Sequence, residues 1–141
     1  MNESRSEKFK SELQGFENVI LTPHIGGNTI EAQKSIADFV SNKLINFYDN
    51  GSTELSVNFP NIKLPKVKKA HRFVHFHKNT PGILANINNI LADHNINVME
   101  QYLKTNDQVG YVITDVDKQY KIDVIESLEQ IPETIKFRVL Y

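Results

Sequence analysis

The C-terminal half of the sequence predicts an α+β fold in which strands and helices follow in the order βαββαβ. From Ala70 onward the apolar residues switch between a period of two and a period of three to four. The turn sequences Thr80-Pro81-Gly82 and Asn106-Asp107 separate these segments. A unit of this order forms a ferredoxin-like sheet with both helices on one face. We therefore expect the other face to be solvated or covered by a second copy.

The first strand and helix of this unit have the clearest signals. Residues 72–78 alternate as a strand, with Val74 and Phe76 on one face. The opposite face carries Phe73, His75 and His77. Pro81 suits the first turn of a helix that is predicted to end at Asn95. Its predicted stripe consists of Leu84, Ile87, Asn88 and Leu91, flanked by Ile83 and Ile90.

The remaining elements complete the sheet. Residues 96–105 and 108–116 predict two strands joined as a hairpin at Asn106-Asp107. A second helix is predicted before Pro132, and an alternating final strand covers residues 135–141. The apolar positions that mark this helix are Tyr120, Val124, Leu128 and Ile131.

The N-terminal half predicts a different kind of structure. Residues 1–16 indicate a flexible lead-in or a weak helix, and 17–51 a strand-loop-helix unit. The apolar run Val19–Leu21 predicts a buried strand of a larger sheet. Asn28 and Glu31 form a capping-box pattern for a helix that ends at Asn50-Gly51. Its apolar stripe must be covered by something, and consists of Ala32, Ile36, Phe39, Val40, Leu44 and Phe47.

Residues 52–69 contain two prolines and a rising positive charge, which predicts an extended linker before a domain at 70–141. Its basic run is interpreted as a solvated surface rather than a phosphate site, because no aromatic platform accompanies it. The run consists of Lys63, Lys66, Lys68, Lys69 and Arg72.

Composition excludes several classes of protein. Apolar residues make up 40% of the chain, but no run approaches the roughly 20 residues of a membrane-spanning helix. A formal charge of −1 gives no general field for nucleic acid or anionic lipid. There is no cysteine, which excludes disulfides and thiolate metal sites. We see no secretory signal and expect a cytoplasmic protein.

Polar side chains at the two ends of the segment 71–97 form the candidate binding site. We expect His75, His77, Asn79 and Asn97 to converge at one sheet edge, because two crossovers bring the end of the first strand beside the start of the second. Their donors and acceptors suit a zwitterion. Two alternatives remain open. The asparagines could cap local backbone, or His71 could join His75 and His77 in a zinc site.

His24 is the candidate for catalysis, since a loop histidine can act as a general acid or base. A structural role is the alternative. No carboxylate is placed beside it by spacing, and no G-x-G-x-x-G occurs in the chain. The residues alone therefore do not support catalysis.

The segment NVILTPHIGG, residues 18–27, strongly resembles the catalytic-histidine segment of D-3-phosphoglycerate dehydrogenases. TIEAQ, DNGST, VNFP, HFHKNTPGIL and the terminal RVLY are also similar to the tail of the bacterial enzyme, in the same order. The resemblance covers roughly residues 5–141. It implies that 70–141 is an ACT domain, a module that binds amino acids between paired copies. Residues 17–51 would then be the end of a Rossmann-type dehydrogenase domain.

The resemblance also implies roles for single residues. His24 matches the histidine that moves the proton as hydride passes between NAD and the substrate, and Ile25, Gly26 and Gly27 match the loop beside the nicotinamide. The residues that would contact L-serine, the feedback inhibitor, at the interface between ACT domains are His77, Asn79 and Asn97. No metal is implied.

The implied protein is the C-terminal regulatory portion of an enzyme that oxidises 3-phosphoglycerate with NAD, the first step of L-serine biosynthesis. The family's dinucleotide fingerprint, its substrate-binding arginine and the acid partner of its histidine have no counterpart here. We therefore expect this chain to be inactive alone and to need NAD only within the full-length enzyme. It would self-associate through ACT domains, as a dimer or within a tetramer. The alternative is a stand-alone amino-acid-binding or dimerisation module.

Overall fold

The computed structural model describes residues 9–117 and 120–141. The N-terminal half contributes one helix, α1 (Ile30–Asn50). The C-terminal half contains β1 (His71–Lys78), α2 (Ile83–Asp93), β2 (Val98–Thr105), β3 (Val109–Val116), α3 (Ile122–Glu129) and β4 (Thr134–Val139). The predicted order βαββαβ is confirmed. Of the predicted lead-in, residues 1–8 lie outside the described residues, and no helix forms over residues 9–16.

The four strands form one antiparallel sheet in the order β2-β3-β1-β4. Strand β1 pairs with β3 from His71 opposite Val116 to His77 opposite Gly110. It pairs on its other side with β4, with one irregularity between Phe76 and His77. The two central strands thus lie next to each other, with β2 and β4 at the edges, which is the ferredoxin-like arrangement.

The main core lies between the sheet and helices α2 and α3. Phe73, Val112 and Phe137 of the sheet pack there against buried residues of both helices. The buried face of α2 is Ile83, Ile87 and Leu91, so Ile87 and Leu91 of the predicted stripe are confirmed. The prediction was wrong for Asn88, which is exposed and accepts a hydrogen bond from the Gln101 side chain at 2.9 Å. The helix ends before Asn95, which has the left-handed φ of 55°.

The sequence suggested that the second face of the sheet is solvated or covered by a second copy. Residues of this chain pack against it instead. Ile62 and Leu64 of the predicted linker are buried against Val74, Tyr111 and Ile113. These two residues lie between Pro60 and Pro65, and the extended backbone places alternate side chains on the same side. The segment is therefore extended, as expected, but it is docked on the sheet.

Arg72 belongs to this second layer and not to a solvated basic run. Its side chain is fully buried and binds both carboxylate oxygens of Asp115, at 2.7 and 2.6 Å. It also donates to the backbone oxygens of Asn50 (3.1 Å), Leu64 (2.9 Å) and Pro65 (2.7 Å). One guanidinium therefore joins the end of α1, the docked segment and the sheet.

Helix α1 begins one residue later than predicted. Thr29 supplies the cap, because its Oγ1 accepts from the Ala32 amide at 3.1 Å. Gly51, with φ of 76°, follows the helix and donates to the carbonyl oxygen of Phe47. No residue of α1 is buried, and Leu44 is 63% exposed. The predicted apolar stripe thus stays largely exposed among residues 9–117 and 120–141.

The predicted strand at Val19–Leu21 is wrong. These residues form no strand, and Ile20 is 89% exposed. A strand exists only through hydrogen bonds to a neighbour, and no strand lies beside this run among residues 9–117 and 120–141. The described residues form two compact units that divide between Ala37 and Asp38. No helix in the described part of the chain is long and apolar enough to cross a membrane.

Candidate functional site

His77 lies at the end of β1 and is fully buried. Its Nδ1 is 2.8 Å from the Lys78 carbonyl oxygen, which can only accept, so Nδ1 carries a proton. Its Nε2 is buried and has no hydrogen-bond partner among the described residues. Its ring lies against Gly110 of β3, where an added Cβ would come within 2.7 Å of Nε2. Glycine at position 110 therefore makes the space that the imidazole occupies.

His75 precedes it on the same face and belongs to the core. Its Nε2 is 2.7 Å from Thr134 Oγ1, and that hydroxyl donates its one proton to the Leu128 carbonyl at 3.2 Å. Nε2 of His75 is therefore the donor. Burial, reinforced by the neighbouring His77, lowers the pKa of His75 to about 4. His75 is thus neutral near pH 7 and held by Thr134, while its buried Nδ1 has no partner among the described residues.

Asn79 follows β1 and is exposed. Its Nδ2 donates to the Asn106 carbonyl at 2.8 Å, and its backbone amide donates to the Gln108 carbonyl at 2.9 Å. The amide nitrogen therefore bonds to backbone, but to that of the turn between β2 and β3, 27 residues away, and not to local backbone as the alternative had it. Its Oδ1 accepts no hydrogen bond from the described residues, which leaves one acceptor for a ligand.

Asn97 does not lie with His77 and Asn79 in one chain, so the expected convergence is wrong. Asn97 precedes β2, its carbonyl accepts from the Asp117 amide at 3.1 Å, and Val98 pairs with Val116, which is also opposite His71. Strands β1 and β2 are both antiparallel to β3 and so run parallel to each other. The end of one and the start of the other are then at opposite ends of the sheet, about 20 Å apart over six strand residues.

Between these two ends lies an open sheet edge. Strand β2 pairs only with β3, so its outer backbone groups face no strand among the described residues. It also exposes large apolar side chains on both faces, namely Val98, Met99, Tyr102 and Leu103. An edge of this kind is suited to pairing with another strand.

The three histidines of β1 are not grouped as ligands for one ion in the described residues. His71 contacts Tyr120, whose hydroxyl is 3.4 Å from its Nδ1. His75 and His77 each use one ring nitrogen in the contacts described above, and the other has no partner among the described residues. In the part of the chain that the structure describes, no three His, Asp or Glu side chains are close enough to hold an ion.

His24 is exposed and lies in a tight turn, in which the Ile25 amide donates to the Pro23 carbonyl at 2.8 Å. Gln33 donates through its side chain to the Gly27 carbonyl and closes the following loop. Within residues 9–117 and 120–141, no carboxylate lies within 4 Å of the His24 ring. The cofactor and catalytic roles of His24, Ile25, Gly26 and Gly27 stay predictions.

Sequence reasoning missed Gly110 and Thr134, which position the two buried histidines. A glycine inside an alternating strand is the signal that would have found the first, since it often marks a close approach. No local pattern indicates Thr134, because its contact with His75 joins residues far apart in the sequence.

Comparison with known proteins now adds to this geometry. The model of the AHAS small subunit-like ACT domain matches residues 73–136. The chain is 46% identical over 138 residues to the D-3-phosphoglycerate dehydrogenase of Haemophilus influenzae, covering 98% of this chain and 34% of that protein. The matched stretch corresponds to the C-terminal portion of D-3-phosphoglycerate dehydrogenases, as the resemblance predicted.

Other D-3-phosphoglycerate dehydrogenases match over the same extent. That of Escherichia coli K12 is 44% identical over 140 residues (98% of this chain, 34% of the relative), and that of Dictyostelium discoideum 44% over 133 residues (94% and 32%). The chain therefore spans about a third of the length of these relatives.

Two solved structures superpose weakly. A quorum quenching acylase has a TM-score of 0.44 at 14% identity, covering 58% of this chain and 32% of its own. A homoserine dehydrogenase from Thiobacillus denitrificans has 0.42 at 20%, covering 77% and 27%. The α+β ferredoxin-like fold is shown by the sheet topology, and the ACT-like domain by the match to the ACT-domain model.

Proposed function

We propose that the chain is the regulatory portion of a D-3-phosphoglycerate dehydrogenase, and that its ACT domain binds L-serine between two copies. The observation that carries the proposal is the placement of the polar groups. His77 and Asn79 stand at one end of the sheet and Asn97 at the other, with the open β2 edge between them.

A two-fold dimer through β2 would bring these ends together. Paired edge strands related by a two-fold axis run antiparallel, so the end of the sheet with His77 and Asn79 in one copy meets Asn97 of the other. Each dimer would then hold two equivalent sites. The apolar side chains of the β2 edge would be covered by the same contact.

The atoms available at such a site match a small amino acid. His77 carries its proton on Nδ1, which leaves Nε2 as an unpartnered buried acceptor, and Asn79 contributes Oδ1. These acceptors suit an ammonium, while the Asn97 amide can donate to a carboxylate. Each charge-assisted contact contributes about 1.5–3 kcal/mol.

The wider role is proposed on the same basis. In a complete enzyme of this family, His24 would move the proton and the loop from Ile25 to Gly27 would lie beside the nicotinamide during NAD-dependent oxidation of 3-phosphoglycerate. Serine binding would lower turnover by biasing domain orientation, with a coupling of about 1–3 kcal/mol. The chain alone carries no dinucleotide fingerprint and is expected to be inactive in the cytoplasm without the rest of the enzyme.

Calorimetry with L-serine tests the proposal, using the Asn79→Ala and Asn97→Ala variants and sedimentation of the same samples. Saturable heat in the parent chain, lost in both variants while the dimer persists, is the expected result. Dimers without any serine heat would instead indicate a purely structural dimerisation module. NADH formation by this chain alone would contradict the regulatory assignment.

A further inference from the structure

A basic cavity lies beside the central strand, away from the proposed serine site. It has a volume of about 460 Å³, and among its lining residues are Lys66, Lys68, Lys69, His71 and Tyr141. We propose that this cavity binds the phosphate group of a small phosphorylated molecule. The proposal does not depend on serine binding.

The side chains that line the cavity include three lysines and no Asp or Glu. Among residues 9–117 and 120–141 no Asp or Glu oxygen lies within 4 Å of the ammonium group of Lys66, Lys68 or Lys69. Asp115, on the neighbouring strand, is fully engaged by Arg72. The lysine charges are therefore not paired with an acidic side chain of the described residues, and an anion in the cavity would face them together.

One wall of the cavity is an aromatic ring that is held in place. The Lys66 ammonium lies over the Tyr141 ring, 4.1 Å from its centroid, and the Arg72 guanidinium lies 5.6 Å from it. Backbone hydrogen bonds from Arg72 to Tyr141 (3.1 Å) and from Leu140 to Arg72 (2.9 Å) hold the chain end against β1. The Tyr141 hydroxyl is buried and has no hydrogen-bond partner in the described part of the chain.

The turn that presents the lysines is strained. Lys69 has φ of 65°, a left-handed conformation that is unfavourable for a residue with a side chain. Strain of this kind is concentrated at functional sites, where the surrounding structure maintains it. Here it occurs at the turn Lys68-Lys69 just before β1, where both side chains line the cavity that Lys66 also lines.

These groups select the class of ligand. Lysine ammonium groups and a protonated phenol are all donors, and a phosphate oxygen is an acceptor that several donors can share. Burial raises the pKa of Tyr141, which keeps its hydroxyl protonated. The cavity is of the size that small ligands occupy, and its lysine stems and aromatic ring suit a short carbon chain. A compact cavity favours a phosphate monoester over a nucleic-acid strand, which needs an extended track.

The test is a titration of the 15N-labelled chain, followed by NMR, with inorganic phosphate, 3-phosphoglycerate and glycerate. We expect saturable shifts at Ala70, His71 and Tyr141 with the two phosphate-containing probes and none with glycerate. Lys68→Ala/Lys69→Ala should weaken binding about tenfold or more. The matched control Lys34→Ala, on the exposed surface of α1, should change it less than about twofold.

A second variant separates binding from folding. Lys69→Gly removes one ammonium but also the strain at φ of 65°, so it should raise the melting temperature while weakening phosphate binding. Equal weakening by Lys34→Ala, equal binding of glycerate, or shifts that never saturate would each overturn the proposal. The serine titration should be unchanged in all these variants.

Discussion

Replacing Arg72 is the sharpest test of how the second layer is held on the sheet. In Arg72→Ala the fully buried Asp115 carboxylate loses both of its hydrogen bonds, and the carbonyls of Asn50, Leu64 and Pro65 lose their donor. Breaking a buried ion pair by removing one partner costs about 3–5 kcal/mol. That is a large part of the roughly 5–15 kcal/mol that stabilises a typical domain.

The measurement is urea unfolding followed by circular dichroism, with a thermal melt as a second readout. We expect the free energy of unfolding to fall by about 3–5 kcal/mol and the melting temperature by roughly 15–25 °C. Lys63→Ala is the matched control, because its contact with Glu54 at 3.3 Å is exposed and worth at most about 1 kcal/mol.

The double variant Arg72→Met/Asp115→Leu separates the stability lost by leaving Asp115 unpaired from the stability lost with the backbone hydrogen bonds of Arg72. With no unpaired charge left in the interior, it should recover part of the stability lost in Arg72→Ala. A loss below about 1 kcal/mol in Arg72→Ala would refute the reasoning, since it would mean that the guanidinium does not anchor the docked segment.

Three further predictions follow from packing and protonation. Gly110→Ala should cost about 1–3 kcal/mol and weaken serine binding, because the new methyl group would displace the His77 ring; calorimetry and unfolding measure both. The pKa of His75 falls from 6.5 to about 4 on folding, so its contribution to the free energy of unfolding is complete above pH 6.5 and is lost as the pH falls towards 4. This effect is about 3 kcal/mol, and His75→Leu should abolish it when the free energy of unfolding is measured against pH. Leu64→Ala should cost about 2–5 kcal/mol, whereas Leu44→Ala, on the uncovered helix face, should leave thermal stability within about 0.5 kcal/mol.

Local periodicity was sufficient to predict the ACT-domain elements, because a half-buried strand and a helix on a sheet must alternate in the sequence as they do in space. It failed at Val19–Leu21, where the apolar run is an ordinary strand signal but no neighbouring strand lies among the described residues. It also failed for the segment 52–69, since its prolines indicate extension but not where Ile62 and Leu64 pack.

The candidate site likewise could be predicted only as far as it depends on residue types, and not where it depends on contacts between residues far apart in the sequence. Residue chemistry grouped His75, His77, Asn79 and Asn97 as a set for a zwitterion, and the family resemblance narrowed the set to the last three. Strand direction, however, decides where these residues lie. Because β1 and β2 are parallel, one copy holds the groups at opposite ends of the sheet. Arg72 was assigned to a solvated run because its partner Asp115 lies 43 residues further along the chain.

Mixing two binding-deficient variants tests the shared site most directly. In a dimer of Asn79→Ala with Asn97→Ala, one site carries both substitutions and the other carries neither. Each variant alone should give no serine heat, whereas an equimolar, re-equilibrated mixture should recover about a quarter of the parent's sites. Binding that survives in either variant alone, or no recovery on mixing while sedimentation shows mixed dimers, would contradict a site built from two copies.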